Sequence, residues 1–271
     1  MFRLVEPRCA TGIKMNTAIQ PLAGRRGLIV GVADEQSIAW HCARSASALG
    51  ARLVLCCMDE RSTSHAARLA AQLGAPLLHF RRERKGALQA MIETAALELG
   101  GFEFVVHATG TVSRTDLRGF ATDSAAEGML QAMRVTCNAF AELARLCSPH
   151  MTQGGALVTT SFQGSDAVLP QHELSWQVQA SLESIVRYLA LALEPWGLRV
   201  HAVAPGPAPV RKRPNALTFD SLARRAIEGT LARRVDDLRD IGNRVAFLVG
   251  PGATGSTGQT HYIDAGVHVL Q

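Results

Sequence analysis

The chain has 271 residues, a length that fits one large α/β domain with a sizeable buried core. Apolar residues make up 47% and charged residues 19%, which is typical of a globular protein and excludes a disordered chain. The net charge of +5 comes from scattered arginines, and no aromatic residues interleave with a basic stripe. We therefore expect no nucleic acid partner, while an acidic partner stays possible on charge grounds.

Targeting and redox features are few. Residues 1–21 contain no apolar signal core and are interpreted as an N-terminal extension, with Met15 as an alternative start to Met1. No apolar run reaches the roughly 18 residues that a membrane helix needs, so we expect no membrane partner. The six cysteines form no CxxC pair, and most lie in apolar elements. Buried free thiols and a cytoplasmic location are the expectation, and no metal site is predicted.

Strand-like runs alternate with helix-like runs along the whole chain, the pattern of a parallel sheet covered on both faces. The predicted strands are Gly27–Val32, Arg52–Cys57, Pro76–Phe80, Phe104–His107, Ala156–Ser161, Arg199–Ala204 and Gln259–Ile263. The predicted helices are Ser37–Leu49, 62–73, 84–99, Ser124–Cys147, Glu173–Leu193, 218–228 and 236–249.

The helix over Glu173–Leu193 shows the clearest apolar periodicity. Its i, i+4, i+7 stripe is predicted to be buried and consists of Leu174, Val178, Leu182, Ile185, Leu189 and Leu193. No repeat or linker interrupts the pattern, so residues 22–271 are predicted to form a single Rossmann-type domain.

A tight turn follows the first predicted strand. Gly31 lacks a Cβ and permits close backbone approach, and Ser37 is suited to cap the next helix. Such a turn can present backbone N–H groups and a helix N-terminus to a pyrophosphate. Only one glycine is present, so a capped turn without a ligand is an alternative interpretation.

The second predicted strand ends near Asp59. A carboxylate at this position can accept hydrogen bonds from both ribose hydroxyls and would favour NAD over NADP. A solvated helix cap explains Asp59 equally well, and the neighbouring Arg61 weakens the preference.

Six segments, kept in order and spacing, carry a resemblance to a known family. They are GRRGLIVGVADEQSIAW from Gly24, VVHATG from Val105, GGALVTTSFQG from Gly154, ASLESIVRYLALAL from Ala180, RVHAVAPGPAP from Arg199 and HYIDAGVHV from His261. From Leu22 to Leu270 the chain resembles the enoyl-acyl-carrier-protein reductases, a divergent branch of the short-chain dehydrogenase/reductase superfamily. The resemblance implies a doubly wound, seven-stranded parallel sheet of order 3-2-1-4-5-6-7.

The resemblance also implies roles for individual positions. Cofactor contacts fall on Gly31, Ser37, Ile38, Asp59, Gly110, Gly206 and Pro207. The two family tyrosines fall on Phe162 and His172, the catalytic lysine on Gln179, and the threonine that holds the nicotinamide carboxamide on Val210. Met58 stands at the adenine side, and the acidic residue after the third strand falls on Phe80 or Arg81.

The catalytic positions thus lack the family's chemistry. The chain has two tyrosines, Tyr188 and Tyr262, and no lysine between Lys85 and Lys212. Phe162 cannot hydrogen-bond a carbonyl, and Gln179 has no charge to anchor a ribose or lower a phenol pKa. Loss of three polar partners predicts that NAD(H) binding is weak or lost.

Three functional hypotheses follow. The first is a degenerate, non-catalytic or impaired relative that acts on or beside acyl-carrier-bound intermediates. The second is an active NAD(H)-dependent oxidoreductase of fatty-acid or specialised acyl metabolism with His172 as acid or base, since histidine titrates near neutrality. The third is an ordinary NADH-dependent enoyl reductase in which electrostatic preorganisation by other residues compensates for the replaced catalytic residues.

Partners are implied in the same way. An acyl thioester or an acidic acyl carrier protein would suit the basic run Arg211-Lys212-Arg213, although a solvated loop explains that run equally well. The family also implies a homo-oligomer, a tetramer or dimer formed through the two long helices. Cys137 and Cys147 on the first of these helices are interpreted as packing residues.

Overall fold

A computed structural model describes residues 20–82, 84–109, 126–162, 173–206 and 237–269. Its seven strands form one all-parallel sheet of order β3-β2-β1-β4-β5-β6-β7, which confirms the predicted fold. The strands are β1 Arg26–Val30, β2 Arg52–Cys57, β3 Leu77–His79, β4 Phe104–His107, β5 Gly155–Thr160, β6 Leu198–Pro205 and β7 Gln259–Ile263. Their near-continuous apolar sequences are those of strands covered on both faces.

Seven α-helices are described. They are α1 Ile38–Ala48, α2 Thr63–Gln72, α3 Ala87–Leu99, α4 Ala126–Met133, α5 Ala139–Cys147, α6 Glu173–Leu193 and α7 Leu238–Val249. Helix α3 begins three residues later than predicted, because Gly86 at its N-cap adopts a φ of +76°. The predicted extension falls mostly on residues 1–19, and the predicted helix 218–228 falls on residues 207–236, both outside the described ranges.

The long helix predicted over Ser124–Cys147 is helical throughout its described part, from Ala126 to Cys147, but it is not α-helical throughout. A π-helical turn at Arg134–Asn138 separates α4 from α5. Cys137 in this turn donates its thiol to the carbonyl of Val178 on α6 at 3.4 Å, so the turn packs directly against α6. Such π-turns are frequent next to functional sites.

Two apolar layers cover the sheet, one on each face. Leu28 and Val30 of β1 face the layer that contains α3, α5 and α6. Ile29, between them, faces the layer that contains α1, α2 and α7. This alternation is the period-two geometry of a strand, and it fixes which helices lie above the carboxyl ends of the central strands.

The buried stripe of α6 agrees in part with the predicted one. Val178, Leu182 and Leu193 of the predicted stripe are buried, and Ile185 and Leu189 are partly buried against the same apolar layer. The side chain of Leu174 lies outside the described part. Residues three or four apart share a helix face, and the core also takes in Val186 and Ala190, which the prediction did not include.

Helices α1 and α7 pack closely through Gly242. A Cβ added there would lie 2.4 Å from the carbonyl oxygen of His41, so only glycine permits this approach. Ser45 of α1 also donates its hydroxyl to the side-chain oxygen of Asn243 at 2.9 Å. These contacts hold α1, and with it the turn that precedes it, against the sheet.

The five cysteines in the described ranges are buried and unpaired, as predicted; Cys9 lies outside them. Burial raises the pKa of Cys42 to about 12 and that of Cys137 to about 11, so neither thiol is poised as a nucleophile. Cys137 and Cys147 belong to the core of the protomer, in agreement with their interpretation as packing residues. None of the described helices has both the length and the apolar character needed to cross a bilayer.

Candidate active site at the strand ends

The turn after β1 lies where the strand order reverses, between β1 and β4. Ligands of open parallel sheets bind in the crevice that such a reversal creates at the carboxyl ends of the strands. Gly31 adopts a φ of +110°, and a Cβ there would lie 2.3 Å from the carbonyl oxygen of Ala108. Glycine is therefore required by the approach of the turn to the end of β4. The N–H groups of Gly31 and Val32 both donate to the carbonyl of Cys56 at 3.0 Å.

Ser37 is the N-cap of α1, as predicted from its position. Its hydroxyl accepts a hydrogen bond from the N–H of Trp40 at 3.4 Å and donates to the carbonyl of Asp34 at 2.7 Å. The Asp34 carboxylate in turn accepts from the N–H of Gln36 at 3.0 Å. Ile38, half-buried, packs against the apolar layer that contains α1. The turn is thus already held in shape, with the first N–H groups of an eleven-residue helix at the crevice.

Both carboxylate oxygens of Asp59 are occupied by local structure. Oδ1 accepts from the N–H of Arg61 at 3.1 Å, and Oδ2 accepts from the hydroxyl of Ser62 at 3.2 Å. The adjacent Glu60 pairs with Arg81 at 2.5 Å. These contacts support the helix-cap interpretation of Asp59.

Arg82 lies beside Met58 at the end of β2, and the sequence did not single it out. Its Nη1 donates to the carbonyl of Val135 at 2.8 Å, and its Nη2 contacts Met58 Sδ at 3.5 Å. The guanidinium thereby links the end of β2 to the π-turn. Arg81 and Arg84 lie close to it in the sequence, and no local pattern distinguishes Arg82 from them.

A buried polar chain connects the ends of β4 and β5. His107 Nδ1 is 3.0 Å from Thr159 Oγ1, and its Nε2 is 2.7 Å from Thr109 Oγ1. Burial, with the charge of Arg82 nearby, lowers the pKa of His107 to about 3. The imidazole is therefore neutral at physiological pH and accepts a hydrogen bond from one of the two hydroxyls.

The end of β5 is joined to α6 by a second buried contact. Ser161 donates its hydroxyl to Glu183 at 2.7 Å, and both residues are buried. Sequence reasoning missed Glu183, although a carboxylate within the apolar periodicity of a helix was a signal for it. Phe162, directly after Ser161, keeps 39% of its surface exposed.

Gln179 lies one turn before Glu183 on α6. Only 6% of its surface is exposed, and its Oε1 is buried with no hydrogen-bond partner among the described residues. A buried acceptor left without a partner costs about 1–3 kcal/mol, so we expect a donor from beyond the described residues: a ligand, a water or another segment of the chain.

The remaining predicted site residues are only partly described. Gly206 lies at the end of β6, where its N–H donates to the carbonyl of Ile263 at 2.8 Å. Gly110, His172, Pro207, Val210 and the Arg211-Lys212-Arg213 run lie outside the described residues. In the parts of the chain that are described, no three metal-ligating side chains come together.

Comparisons with known proteins agree with this architecture. The sequence profile of the family described as "Enoyl-(Acyl carrier protein) reductase" matches residues 31–268. The chain is 32% identical to enoyl-acyl-carrier-protein reductase (NADH) 2 of Rhizobium meliloti, over 91% of this chain and 92% of that protein. It is 31% identical to enoyl-acyl-carrier-protein reductase (NADH) FabI of Bacillus cereus, over 92% of this chain and 98% of that protein.

Solved structures give the same result. A reductase from Anaplasma phagocytophilum, crystallised in complex with NAD, superimposes with a TM-score of 0.87 at 29% identity and covers 95% of this chain and 98% of its own. FabI from Candidatus Liberibacter asiaticus superimposes with a TM-score of 0.86 at 29% identity, over 93% of this chain and 98% of its own. On the profile, the identity and the fold together, the chain belongs to the enoyl-acyl-carrier-protein reductase family of the short-chain dehydrogenase/reductase superfamily.

Proposed function

We propose that the protein is an enoyl-acyl-carrier-protein reductase-like member of its family with a degenerate catalytic centre. It acts on or beside acyl-carrier-bound intermediates and is impaired in, or lacks, ordinary enoyl reduction. The observation that carries this proposal is Gln179, a neutral and buried amide at the position where the family resemblance places a lysine. Phe162, which has no hydroxyl, stands at a second catalytic position.

The proposal includes NAD(H) as the cofactor, held weakly. It is supported by the NADH in the names of two relatives, by the NAD complex of a similar structure, and by the shape of the Gly31 turn. When bound, the nicotinamide supplies a hydride. The turn and the start of α1 would hold the pyrophosphate, and Gln179 Oε1 would accept a hydrogen bond from a ribose hydroxyl. Each oxygen of Asp59 accepts one hydrogen bond from its own turn and keeps a second acceptor site, so Asp59 would cap its helix and could accept from a ribose hydroxyl as well.

The role of Gln179 is tested by Gln179→Leu. We expect NADH to bind roughly 2–10-fold more weakly to this variant, since one hydrogen bond of about 0.5–1.5 kcal/mol is lost. The free energy of unfolding without ligand should stay equal or rise, because an unpartnered buried acceptor is removed. Calorimetric titration with NADH and NADPH and urea unfolding measure the two effects.

The opposite pair of results would count against this role. A variant that binds NADH as wild type does, yet unfolds more easily, would show that Gln179 serves the core alone. Absence of NADH binding to wild-type protein at millimolar ligand would remove the cofactor from the proposal and leave a scaffold. Gln177→Leu, an exposed neighbour on the same helix, is the matched control.

A second candidate, an active NAD(H)-dependent oxidoreductase of fatty-acid or specialised acyl metabolism, is favoured by the identity that extends over 91% of the chain. In this case His172 would supply or remove the proton. The buried Ser161–Glu183 and His107–Thr159 contacts are compatible with either candidate, because both support the strand ends whether or not a proton is transferred.

We also propose that the protein is a homo-oligomer, a dimer or tetramer, assembled through the long helices. Large apolar side chains are exposed on α4 and α6: Leu130 is 69%, Tyr188 73% and Leu191 74% exposed. Tyr188 and Leu191 are three positions apart and therefore share one face of α6. Apolar groups clustered in this way are typical of subunit contacts.

Tyr188→Glu combined with Leu191→Glu is expected to dissociate the assembly to protomers, because two charges would be buried without partners in the contact. Light scattering after size exclusion gives the mass. Leu97→Glu on α3, where the leucine is 84% exposed, is the control and should leave the mass unchanged. A wild-type protein that elutes as a monomer at all concentrations would contradict the proposal.

The proposed compartment is the cytoplasm. The five described cysteines are unpaired and buried, as is usual in a reducing environment. Fractionation of cells that express the protein tests this location, and recovery in an oxidising compartment would contradict it.

A further inference from the structure

A groove lies between the edge strand β3 and the first turns of α3. Its volume is about 550 Å³, which falls within the range of small-molecule sites. Gly31, Ser37, Ser161 and Gln179 do not line it, whereas Phe80 and Arg81, one of which takes the family's acidic position after the third strand, do. We call this cavity the β3–α3 groove.

The floor of the groove is apolar. Phe80 and Met91 are about nineteen-twentieths buried, with 6% and 5% of their surfaces exposed, and Leu78 is half-buried. All three belong to or pack against the apolar layer on this face of the sheet. They are joined by Ala87 and Ala90 of α3, whose small side chains leave the space open.

The rim of the groove is cationic. Arg81, Arg84 and Lys85 line it and are exposed, and no Asp or Glu is among the described residues that line it. Arg81 is paired with Glu60 at its outer side. Arg84 and Lys85 make no ion pair with a described carboxylate, so two positive charges stand next to an apolar floor.

We propose that the β3–α3 groove binds a single-chain amphiphile with an anionic head group, of the fatty carboxylate class. The alkyl chain would lie on Leu78, Phe80 and Met91, and the carboxylate would meet Arg84 and Lys85. A simple inorganic anion would leave the floor unused, and a cationic or uncharged amphiphile would leave the rim uncompensated. The inference does not rest on the proposed function, since Leu78, Met91, Arg84 and Lys85 have no part in the proposed cofactor contacts or in catalysis.

The test is calorimetric titration of the full chain with dodecanoate below its critical micelle concentration. We expect one saturable site, with decanoate binding roughly tenfold more weakly because two methylene groups are lost. Arg84→Gln combined with Lys85→Gln should weaken dodecanoate binding up to about tenfold, since each exposed charge contributes modestly. The matched control, Arg44→Gln with Arg68→Gln, removes the same charge from exposed positions on α1 and α2 and should bind as wild type does.

Location is tested separately with a fatty carboxylate that carries a photoreactive diazirine on its chain. The expected cross-links fall within residues 78–94. Dodecyl trimethylammonium should not compete for the site. Equal binding by the rim variant and the wild type, affinity that does not depend on chain length, or cross-links confined to the strand ends would each overturn the proposal.

Discussion

Replacing His172 by tyrosine and Gln179 by lysine in one protein is expected to raise the rate of enoyl reduction at least about a hundredfold. A positioned general acid contributes about 10²–10⁴ to a rate, and the double variant restores both the phenol and the charge that lowers its pKa. The lysine would enter a buried position one turn from Glu183, whose carboxylate offsets the cost of burying an ammonium. Oxidation of NADH in the presence of a crotonyl thioester measures the rate.

The matched control is His172→Tyr with Gln179→Met, which supplies the phenol and a side chain of similar length without a charge. It should recover little of the gain, because an ordinary phenol with a pKa near 10 stays protonated but is not activated. A double variant no faster than wild type would indicate that the losses extend beyond these two positions. Wild-type turnover already typical of the family would refute the degenerate centre.

The same assay separates the two candidate functions. If the protein is an active enzyme with His172 as acid or base, His172→Ala abolishes the wild-type activity. If the centre is degenerate, His172→Ala leaves the low background unchanged, because proximity of bound reactants alone sustains it.

Lowering the pH from 7 to 5 is expected to reduce the free energy of unfolding, at pH values well above those at which carboxylate protonation causes acid unfolding. Burial, aided by nearby positive charge, holds the pKa of His107 at about 3 and that of His201 at about 4, against 6.5 in the unfolded chain. Between these values the unfolded chain binds more protons than the folded one, so the free energy of unfolding falls as the pH falls. From pH 7 to pH 5 each histidine should cost about 2 kcal/mol.

Other titrating groups act in the same direction. The pKa of His41 and of His261 is also lowered by burial, and His261 lies 3.3 Å from His201 across β6 and β7. Arg82 lies near His107, Arg199 near His201 and Arg244 near His261, and these positive charges add to the cost of protonating the three histidines. Asp237 offsets part of that cost for His41. Arg239 lowers the pKa of Asp237 to about 2, so protonation of this carboxylate reduces the free energy of unfolding only below about pH 4.

Urea unfolding at pH 7, 6 and 5 measures this loss. His201→Gln should lower the loss of unfolding free energy between pH 7 and pH 5 by the contribution of one histidine, about 2 kcal/mol. His107→Gln should have the same effect if the variant folds. His65→Gln, which changes an exposed histidine on α2, is the control and should keep the wild-type loss. An equal loss in all the variants would show that neither buried imidazole stays neutral in the folded protein.

The order of elements was well predicted because each strand is a short apolar run bounded by turn residues. The bounds of β2, β4, β7 and α6 agree to the residue with the prediction. The π-helical turn at Arg134–Asn138 within the long helix was not predictable, since a π-turn has no distinct local pattern. The stripe of α6 was predicted in part: Val178, Leu182 and Leu193 are buried as expected, whereas the burial of Val186 and Ala190 was missed.

For the candidate site, the sequence predicted where residues lie in the fold better than it predicted which side chains they contact. The Gly31 turn and the Ser37 cap lie at the reversal of strand order, as their chain positions implied. The polar contacts of His107 and Glu183 join residues 52 and 22 positions apart, which no local pattern connects. The role of Asp59 was open in the sequence, and hydrogen bonds to its own turn now favour the cap.

By itself the sequence determined the parallel sheet and the order of its elements, because these follow from local apolar runs, and its resemblance to the family implied that the catalytic tyrosine and lysine are replaced. Only the tertiary structure decided which polar groups are buried together, which acceptor has no partner, and where cations border an apolar groove. Burial and hydrogen bonding depend on the approach of distant segments, and so does the neutral state of His107.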